Sequence, residues 1–146
     1  MAHDAALHEI AATRLRRDGQ RYTAGRRALV DVLAAAPHPM PITEILTTGD
    51  ELAQSSVYRN LAVLERAAVV TKVITNGEWA CFELAEDLTS HHHHLICSDC
   101  GTVRDVEVPS DVEAALDDAL AGLAAADGFV LESHRLDLVG RCHDCQ

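Results

Sequence analysis

The chain has 146 residues and a formal net charge of −11, with 48% hydrophobic but only 3% aromatic residues. This length suits one domain or two small ones, with a core built from Ala, Val and Leu rather than from aromatic rings. No apolar run approaches the roughly 20 residues that a membrane-spanning helix needs, and the N-terminus lacks the apolar segment of a signal peptide. We therefore expect a soluble, cytoplasmic protein.

The negative charge is confined to the second half of the chain. Residues 1–78 hold nine Lys or Arg and nine Asp or Glu, whereas residues 79–146 hold three and fourteen. Six arginines fall within one short stretch: Arg14, Arg16, Arg17, Arg21, Arg26 and Arg27. Because a local basic patch guides association with a polyanion, the net charge does not exclude nucleic-acid binding. The asymmetry also favours two domains.

The first half of the chain predicts four helices, of which the first spans residues 3–17. Hydroxyl side chains are placed to cap the other three: Thr23, Thr43 and Ser55 or Ser56. Pro37 ends the second helix, residues 38–41 form a linker, and the third helix ends near Gly49-Asp50.

Two β-rich runs follow at residues 69–74 and 78–84, separated by Asn76-Gly77, a strong signal for a hairpin turn. Helices followed by a hairpin predict a winged helix-turn-helix in which the fourth helix reads DNA. The candidate DNA contacts lie near the start of that helix and in the arginine stretch: Ser56, Tyr58, Arg59, Asn60, Arg17 and Arg21. The alternative is that Tyr58 packs in the core and Arg59 is an ordinary surface charge.

The second half predicts a mixed domain of strands and one helix. LIC (95–97) and TVRDVEV (102–108) resemble a strand pair, and Ser110 to Glu113 has the sequence of a capping box. An Ala/Leu-rich helix follows, and residues 129–140 have the composition of a strand. The expected fold class is therefore α+β, with an N-terminal winged helix-turn-helix domain and a C-terminal α/β domain.

Four of the five cysteines form two Cys-x-x-Cys pairs, Cys97/Cys100 and Cys142/Cys145. In a cytosolic chain such pairs indicate metal ligands rather than a disulfide framework. Together they supply one tetrahedral four-thiolate site for structural Zn²⁺, which would hold the end of the chain on the second domain. The alternative is a pair of redox dithiols, but neither pair opens a helix after a strand.

Four consecutive histidines, His91 to His94, precede the first cysteine pair. In an extended segment alternate side chains face opposite ways, so His91 and His93 would feed one metal site and His92 and His94 another. A single histidine is ordinarily a packed or exposed residue, but four in succession beside two cysteines favour metal binding. Further ligands must come from elsewhere, and the candidates are Cys81, Glu83, Asp105, Glu113 and His134.

Four segments together resemble the ferric uptake regulator family: RRDGQRYTAGRRALVDVL, SSVYRNLAVLERAAVV, FELAEDLTSHHHHLICSDCG and GRCHDC. The resemblance covers nearly the whole chain, and the HHHHLICxxCG block with a later Cys-x-x-Cys is its most specific part. It implies a homodimeric, metal-dependent repressor of metal-homeostasis genes that binds double-stranded DNA at a palindromic operator. It also implies a winged-helix domain at 1–80, a hinge at 81–90 and a metal-binding dimerisation domain at 91–146.

The resemblance assigns three metal sites residue by residue. The structural zinc ligands are Cys97, Cys100, Cys142 and Cys145. The regulatory ligands between the domains are Glu83, His92, His94 and Asp105, joined by Cys81 on the same strand face and by His38. The second site comprises His91, His93, Glu113 and His134. His38 is the nearest match to a family histidine before the third helix, although Pro39 stands at the matching position.

The sensed metal depends on which ligands are used. Imidazoles with a carboxylate suit Fe²⁺ or Mn²⁺, whereas a thiolate from Cys81 favours Zn²⁺. Asp105 also matches peroxide-sensing members of the family, so a peroxide-sensing repressor is an alternative. A metal-dependent hydrolase is a rival from another class, but the sequence has no HExxH helix. A metal buffer that contains a winged helix is a further rival. We predict that the regulatory metal fixes the spacing of the two reader helices in a dimer.

Overall fold

The fold is taken from a computed structural model that describes residues 2–49, 52–75 and 80–146, with side chains from Ala5 onward. Five α-helices are present in the described part: α1 Ala2–Arg17, α2 Ala24–Ala35, α3 Ile42–Thr48, α4 Gln54–Arg66 and α5 Ser110–Ala126. Its strands are β1 Met40–Pro41, β2 Val70–Ile74, β3 Ala80–Leu84, β4 His93–Cys97, β5 Val103–Val106 and β6 Asp137–Gly140. The predicted α+β class is confirmed.

Helix α1 packs one face on the N-terminal domain. Leu7, Ala11 and Leu15 recur at four-residue spacing, and all three are buried in the main core. Helix α2 begins as predicted, because the Thr23 hydroxyl accepts a hydrogen bond from the Arg26 N–H at 3.4 Å.

The other two predicted caps in this half are wrong. Helix α3 begins after Pro41, so Thr43 lies inside its first turn. Helix α4 begins after Ala53, which places Ser55 and Ser56 inside that helix as well. Neither helix has a side-chain cap, and the residues that open α4 are exposed, so water satisfies their free N–H groups.

The first sheet has the strand order β1-β3-β2 and contains the predicted hairpin. Strands β2 and β3 pair antiparallel from Val70↔Leu84 to Ile74↔Ala80. The predicted turn residues Asn76-Gly77 lie outside the described residues. Part of the predicted linker forms the short strand β1, which pairs with β3 and closes the edge of the sheet.

The second sheet has the order β5-β4-β6, with β4 antiparallel to β5 and parallel to β6. The central strand carries the last two histidines, and His94 pairs with Asp105 on one side and Asp137 on the other. The strand predicted at 129–140 is wrong for residues 129–136, because in the part of the chain that the structure describes only Asp137–Gly140 of this segment pairs with another strand.

Helix α5 connects the two outer strands and begins after Pro109 without a side-chain cap. The capping box predicted from Ser110 to Glu113 is therefore wrong, because the Glu113 carboxylate faces histidines instead of the helix N-terminus. No residue of α5 is buried, although the helix is rich in Ala and Leu.

A small apolar cluster joins the two sheets. Val73 and Cys81 from the first sheet contact Ile96 and Val103 from the second. Strand β3 crosses the boundary that we predict between residues 80 and 81, and its pairing with β2 continues to Leu84. The division into domains stays a prediction.

Candidate metal centres and nucleic-acid interface

The four paired cysteines converge at one end of the second sheet. Their Sγ atoms all lie within 4.8 Å of one another, with Cys100 and Cys142 3.8 Å apart. Cys97 ends β4. Cys142 directly precedes the 3₁₀ turn His143–Cys145 near the end of the chain, and Cys145 is the last residue of that turn. The backbone N–H groups of Cys100 and Cys142 lower the pKa of the Cys97 thiol to about 6. Four convergent sulfurs with N–H···S support fit a tetrahedral thiolate site.

The second group of candidate ligands lies between the two sheets. Glu83 on β3 faces two imidazoles, with His92 Nε2 at 3.0 Å and His94 Nε2 at 3.1 Å from its carboxylate oxygens. Asp105 on β5 lies 3.8 Å from His92 Nε2. We call these four residues, whose ligand atoms all lie within 4.8 Å, the Glu83 centre.

Charges within the Glu83 centre are mutually stabilising. Burial raises the pKa of Glu83, but hydrogen bonds from His94 and His92 outweigh this effect, so that pKa lies below its ordinary value. The pKa of His94 is raised, chiefly because Glu83 accepts its hydrogen bond. Burial raises the pKa of Asp105. The contacts of both imidazoles with the Glu83 carboxylate therefore converge where a cation would bind.

The third group, which we call the Glu113 centre, is held by α5. Glu113 lies 2.9 Å from His91 Nε2, 2.8 Å from His93 Nε2 and 2.9 Å from His134 Nε2. His134 Nε2 is buried and makes no hydrogen bond within the described residues, although it lies 2.9 Å from Glu113. Three imidazole nitrogens and a carboxylate that converge around such an unsatisfied atom fit a metal site.

The alternation argument correctly divides the histidine run. The structure places His91 and His93 in the Glu113 centre, and His92 and His94 in the Glu83 centre. His93 and His94 leave strand β4 on opposite faces, and the same alternation continues through His91 and His92, which directly precede the strand.

Two predicted regulatory ligands stand outside these groups. The Cys81 side chain is buried in the cluster with Val73, and burial together with Glu44 and Glu83 raises its pKa to about 11. His38 Nδ1 lies 3.1 Å from the Pro39 carbonyl, and His38 Nε2 lies 3.5 Å from Glu44.

Three further carboxylates contact the Nδ1 atoms of histidines whose Nε2 atoms face the two centres. None of the three was predicted from the sequence. Asp137 lies 3.2 Å from His94 Nδ1, Asp117 lies 3.0 Å from His134 Nδ1, and Glu86 bonds His91 Nδ1. Asp137 had a signal in the sequence, because it is a single charge within the apolar segment LDLV. The other two had none.

The predicted DNA-reading residues occupy the start of α4. Tyr58 is 54% exposed, and Arg59 is exposed with no hydrogen bond or ion pair to any described residue. Asn60 instead accepts a hydrogen bond from Arg26 Nε at 3.2 Å, which ties α4 to α2. Ser56 is half-buried in the first turn of the helix.

The arginine stretch divides into two groups. Arg14 bonds Asp87 and the Ala68 carbonyl, and Arg26 donates to Asn60 and the Arg21 carbonyl, so both arginines brace the fold. The exposed arginines of the stretch are Arg16, Arg17, Arg21 and Arg27. Arg17 and Arg21 therefore remain accessible to a polyanion.

No helix in the described part of the chain combines the length and apolar character needed to cross a membrane.

Comparison with known proteins gives consistent matches. The model of the ferric uptake regulator family matches residues 17–139. The ferric uptake regulation protein of Shigella flexneri is 32% identical over 141 residues, which cover 92% of this chain and 90% of that protein. That of Bordetella parapertussis is 40% identical over 96 residues, 66% of this chain and 64% of that protein. The solved Vibrio cholerae ferric uptake regulator has a TM-score of 0.67 at 29% identity, covering 88% of this chain and 96% of that one.

Proposed function

Because this chain belongs to the ferric uptake regulator family, whose members are dimeric, metal-responsive transcription regulators and not enzymes, we propose that it is a metal-dependent DNA-binding repressor. Its targets would be genes of metal homeostasis, bound at a palindromic operator in the cytoplasm. The observation that carries the proposal is the Glu83 centre, whose ligands come from both sheets.

The Glu83 centre can act as a clamp between the two parts of the chain. Glu83 belongs to the sheet of the winged helix, whereas His94 and Asp105 belong to the second sheet and His92 directly precedes its central strand. A bound divalent cation supplies the positive charge that draws these four donors together. The chain would have a closed state, in which the four ligands converge, and an open state, in which they do not. The metal stabilises the closed state only to the extent that it binds that state more tightly than the open one. A coupling of about 1–3 kcal/mol would change DNA affinity roughly five- to 150-fold.

The bending segment proposed for this clamp is short. We propose a winged-helix domain at 1–80, a hinge within 81–90 and a dimerisation domain at 91–146. Since β3 is paired to Leu84, the part of the hinge free of sheet pairing is 85–90, which contains the 3₁₀ turn Glu86–Leu88. The Vibrio cholerae relative is described as showing a structural rearrangement of its DNA-binding domains, which supports a mobile hinge.

The donor sets support different metals at different sites. Four thiolates from Cys97, Cys100, Cys142 and Cys145 suit structural Zn²⁺. Two imidazoles and two carboxylates at the Glu83 centre suit Fe²⁺ or Mn²⁺, and Zn²⁺ if a thiolate joins them. His38 remains a proposed fifth ligand that a closing motion would bring in.

DNA binding is proposed for the exposed start of α4. Arg59 and Tyr58 would reach base edges, Ser56 and Asn60 lie beside them, and the exposed Arg17 and Arg21 would contact phosphates. Bound cations would offset part of the acidic charge of the second half of the chain.

A homodimer is proposed to bury the face made by α5 and the segment that follows it. That face exposes five large apolar side chains by more than half: Val112, Leu123, Phe129, Val130 and Val139. Strand β6 is also an edge of the second sheet, so its outer hydrogen-bonding groups lack a partner strand in the described chain. Pairing with a second copy would cover both features and place two reader helices on one palindrome.

The test is metal-dependent DNA binding by protein that keeps its four-cysteine zinc. Mn²⁺, Fe²⁺ and Zn²⁺ are titrated without oxygen at buffered free concentrations against a family-type palindrome. We expect at least tenfold tighter DNA binding with metal, lost in Glu83→Gln but retained in the matched variant Glu113→Gln. Arg59→Ala should abolish DNA binding and leave metal affinity intact. DNA affinity that no metal changes would refute the clamp.

A peroxide-sensing repressor is the second candidate, favoured by Asp105 in the Glu83 centre. In that case the Fe²⁺-loaded protein, but not the Mn²⁺-loaded protein, should release DNA when micromolar peroxide is added. Mass spectrometry should then find oxygen added to His92 or His94.

A further inference from the structure

His94 is the histidine of the Glu83 centre whose ring contacts a carboxylate on each side. Its Nε2 lies 3.1 Å from Glu83, and its Nδ1 lies 3.2 Å from Asp137. The His94 side chain is 7% exposed, so these contacts are made in a nearly dry environment. By contrast, the outer nitrogen of His92 faces a neutral partner, the Ser90 carbonyl, at 2.7 Å.

The backbone reinforces this side-chain contact. Asp137 opens β6 and stands opposite His94 in the parallel pairing of β4 with β6. The His94 N–H also donates to the Leu136 carbonyl at 3.3 Å. Both the main chain and the ring of His94 are therefore anchored to the same short segment.

An imidazole that binds a metal through one nitrogen must carry its proton on the other. A carboxylate beside that second nitrogen accepts the N–H, which fixes the tautomer, sets the ring plane and makes the ligand nitrogen more basic. Asp137 Oδ1 stands where such an acceptor is needed, and its carboxylate does not belong to the four donors of the centre.

We propose that Asp137 is a positioning residue of the Glu83 centre, acting through His94 to aim Nε2 at the bound metal. The proposal rests on the proposed function, because it assumes that the Glu83 centre binds a metal. It assigns a role to β6 beyond pairing. The strand that follows the exposed segment 129–136 also fixes one ligand of the regulatory centre.

The experiment measures Co²⁺ binding, which needs no DNA. All proteins keep the four-cysteine zinc and carry His91→Ala and Glu113→Gln, which remove two of the four donors of the Glu113 centre, so that the Glu83 centre dominates the response. Affinity is read by competition with a chelator, and geometry by the visible absorption bands of Co²⁺. We expect Asp137→Ala to bind Co²⁺ about 10–100-fold more weakly. Asp137→Asn, whose side-chain oxygen still accepts the N–H, should recover most of that loss.

Asp117→Ala is the matched control, since Asp117 makes the same kind of contact to His134 in the Glu113 centre. It should leave Co²⁺ affinity at the Glu83 centre unchanged. A second readout is the Nδ1 proton of His94 in the Zn²⁺-loaded protein, followed by nitrogen-15 NMR. We expect it to be protected from exchange with Asp or Asn at position 137 and exchanging with Ala there.

Three outcomes overturn the proposal. If Asp137→Ala binds Co²⁺ as its parent does while Glu83→Gln abolishes binding, the centre stands and the role of Asp137 is wrong. If Asn and Ala at position 137 weaken binding equally, without a difference in the His94 proton, Asp137 supports the strand only. If Glu83→Gln also leaves Co²⁺ binding unchanged, the proposed regulatory centre fails, and this inference fails with it.

Discussion

At the scale of single residues, Glu83 connects the two halves of the molecule. Its carboxylate accepts hydrogen bonds from two imidazoles on the neighbouring sheet, which satisfies a partly buried charge that would otherwise be costly. When no metal is bound, hydrogen bonds from the imidazole N–H groups hold these ligands together. Metal binding must displace these protons, so apparent metal affinity should fall as the pH falls.

The same contacts make the stability of the protein without regulatory metal depend on pH. The pKa of His94 lies above its ordinary 6.5, so its contribution is complete below 6.5 and is lost as the pH rises through the raised value. The pKa of Glu83 lies below 4.5, so its contribution is present above 4.5. We expect the melting temperature to fall as the pH rises above about 6.5, measured by calorimetry over a range that extends to about pH 8.5, with the cysteine zinc retained.

Glu83→Gln is the control for this pH dependence. Glutamine keeps the size of the side chain but removes the charge that raises the pKa of His94, so the decline towards pH 8.5 should be smaller. Equal declines in the two proteins would contradict the assignment to the Glu83–His94 pair.

Cys81 is predicted to act as a core residue rather than as a metal ligand. Its thiol is buried against apolar neighbours, its sulfur is not among the four donors that converge at the Glu83 centre, and burial together with Glu44 and Glu83 raises its pKa to about 11. Cys81→Ser should therefore cost about 1–3 kcal/mol of unfolding free energy, because it buries a hydroxyl without a partner. Urea unfolding measures this cost.

Metal affinity separates the two roles of Cys81. We expect Co²⁺ affinity at the Glu83 centre to change less than about threefold in both Cys81→Ser and Cys81→Ala, well below the roughly tenfold or greater effects of altering residues that support a metal. Loss of affinity in both variants would restore Cys81 as a ligand.

Periodicity and spacing predicted much of the metal chemistry, but only where the ligands are close in sequence. In the histidine run and in each Cys-x-x-Cys pair, the ligands are so close in sequence that local backbone geometry determines where their side chains point. Glu83 and Glu113 were among several candidate ligands in the sequence, and only the family resemblance assigned each of them to a particular metal site. Asp137 was not predicted as a site residue. It is a lone charge in an apolar segment, but its contact with His94 depends on the register between β4 and β6, which no local pattern encodes.

At the scale of helices and strands, the helix caps provide a matched pair of variants. Thr23 makes its predicted bond to the Arg26 N–H, whereas Ser110 makes no cap at the start of α5. Thr23→Ala should cost about 1 kcal/mol, and Ser110→Ala less than about 0.5 kcal/mol. Chemical denaturation of the two variants under the same conditions compares them, and equal costs would contradict the observed caps.

The errors in the predicted helix starts and in the predicted last strand each have a physical cause. Helices α3 and α4 start two or three residues before the positions that Thr43, Ser55 and Ser56 predict, because water can satisfy the free N–H groups at an exposed helix start and side-chain caps are not needed there. Residues 129–136 have the composition of a strand, but a strand requires a partner, and none pairs with them among the described residues. A single sequence shows local preference and cannot show which partner is missing.

At the scale of the whole molecule, charge and apolar surface are separated. The cluster of exposed arginines between Arg16 and Arg27 lies on the winged-helix side, whereas the second half carries the net negative charge and most of the large exposed apolar residues. An α-helix with no buried residue beside an unpaired strand edge is not a stable surface for a monomer. The dimer proposed above covers it.

The last prediction tests that dimer. Phe129 is 73% exposed on the proposed interface, and Phe129→Glu would place a charge where apolar surface should be buried. We expect the dimer dissociation constant to rise at least about tenfold, which corresponds to about 1.4 kcal/mol. Analytical ultracentrifugation measures it.

Ile74, 66% exposed on β2 of the winged-helix sheet, provides the matched control. Ile74→Glu introduces the same charge on the other sheet, so it should leave the dimer intact. If the proposal is right, Phe129→Glu also weakens DNA binding, because one reader helix contacts only half of a palindrome. Its Co²⁺ affinity should persist, since the four donors of the Glu83 centre come from one chain. A Phe129→Glu protein that remains a dimer would place the interface on another face.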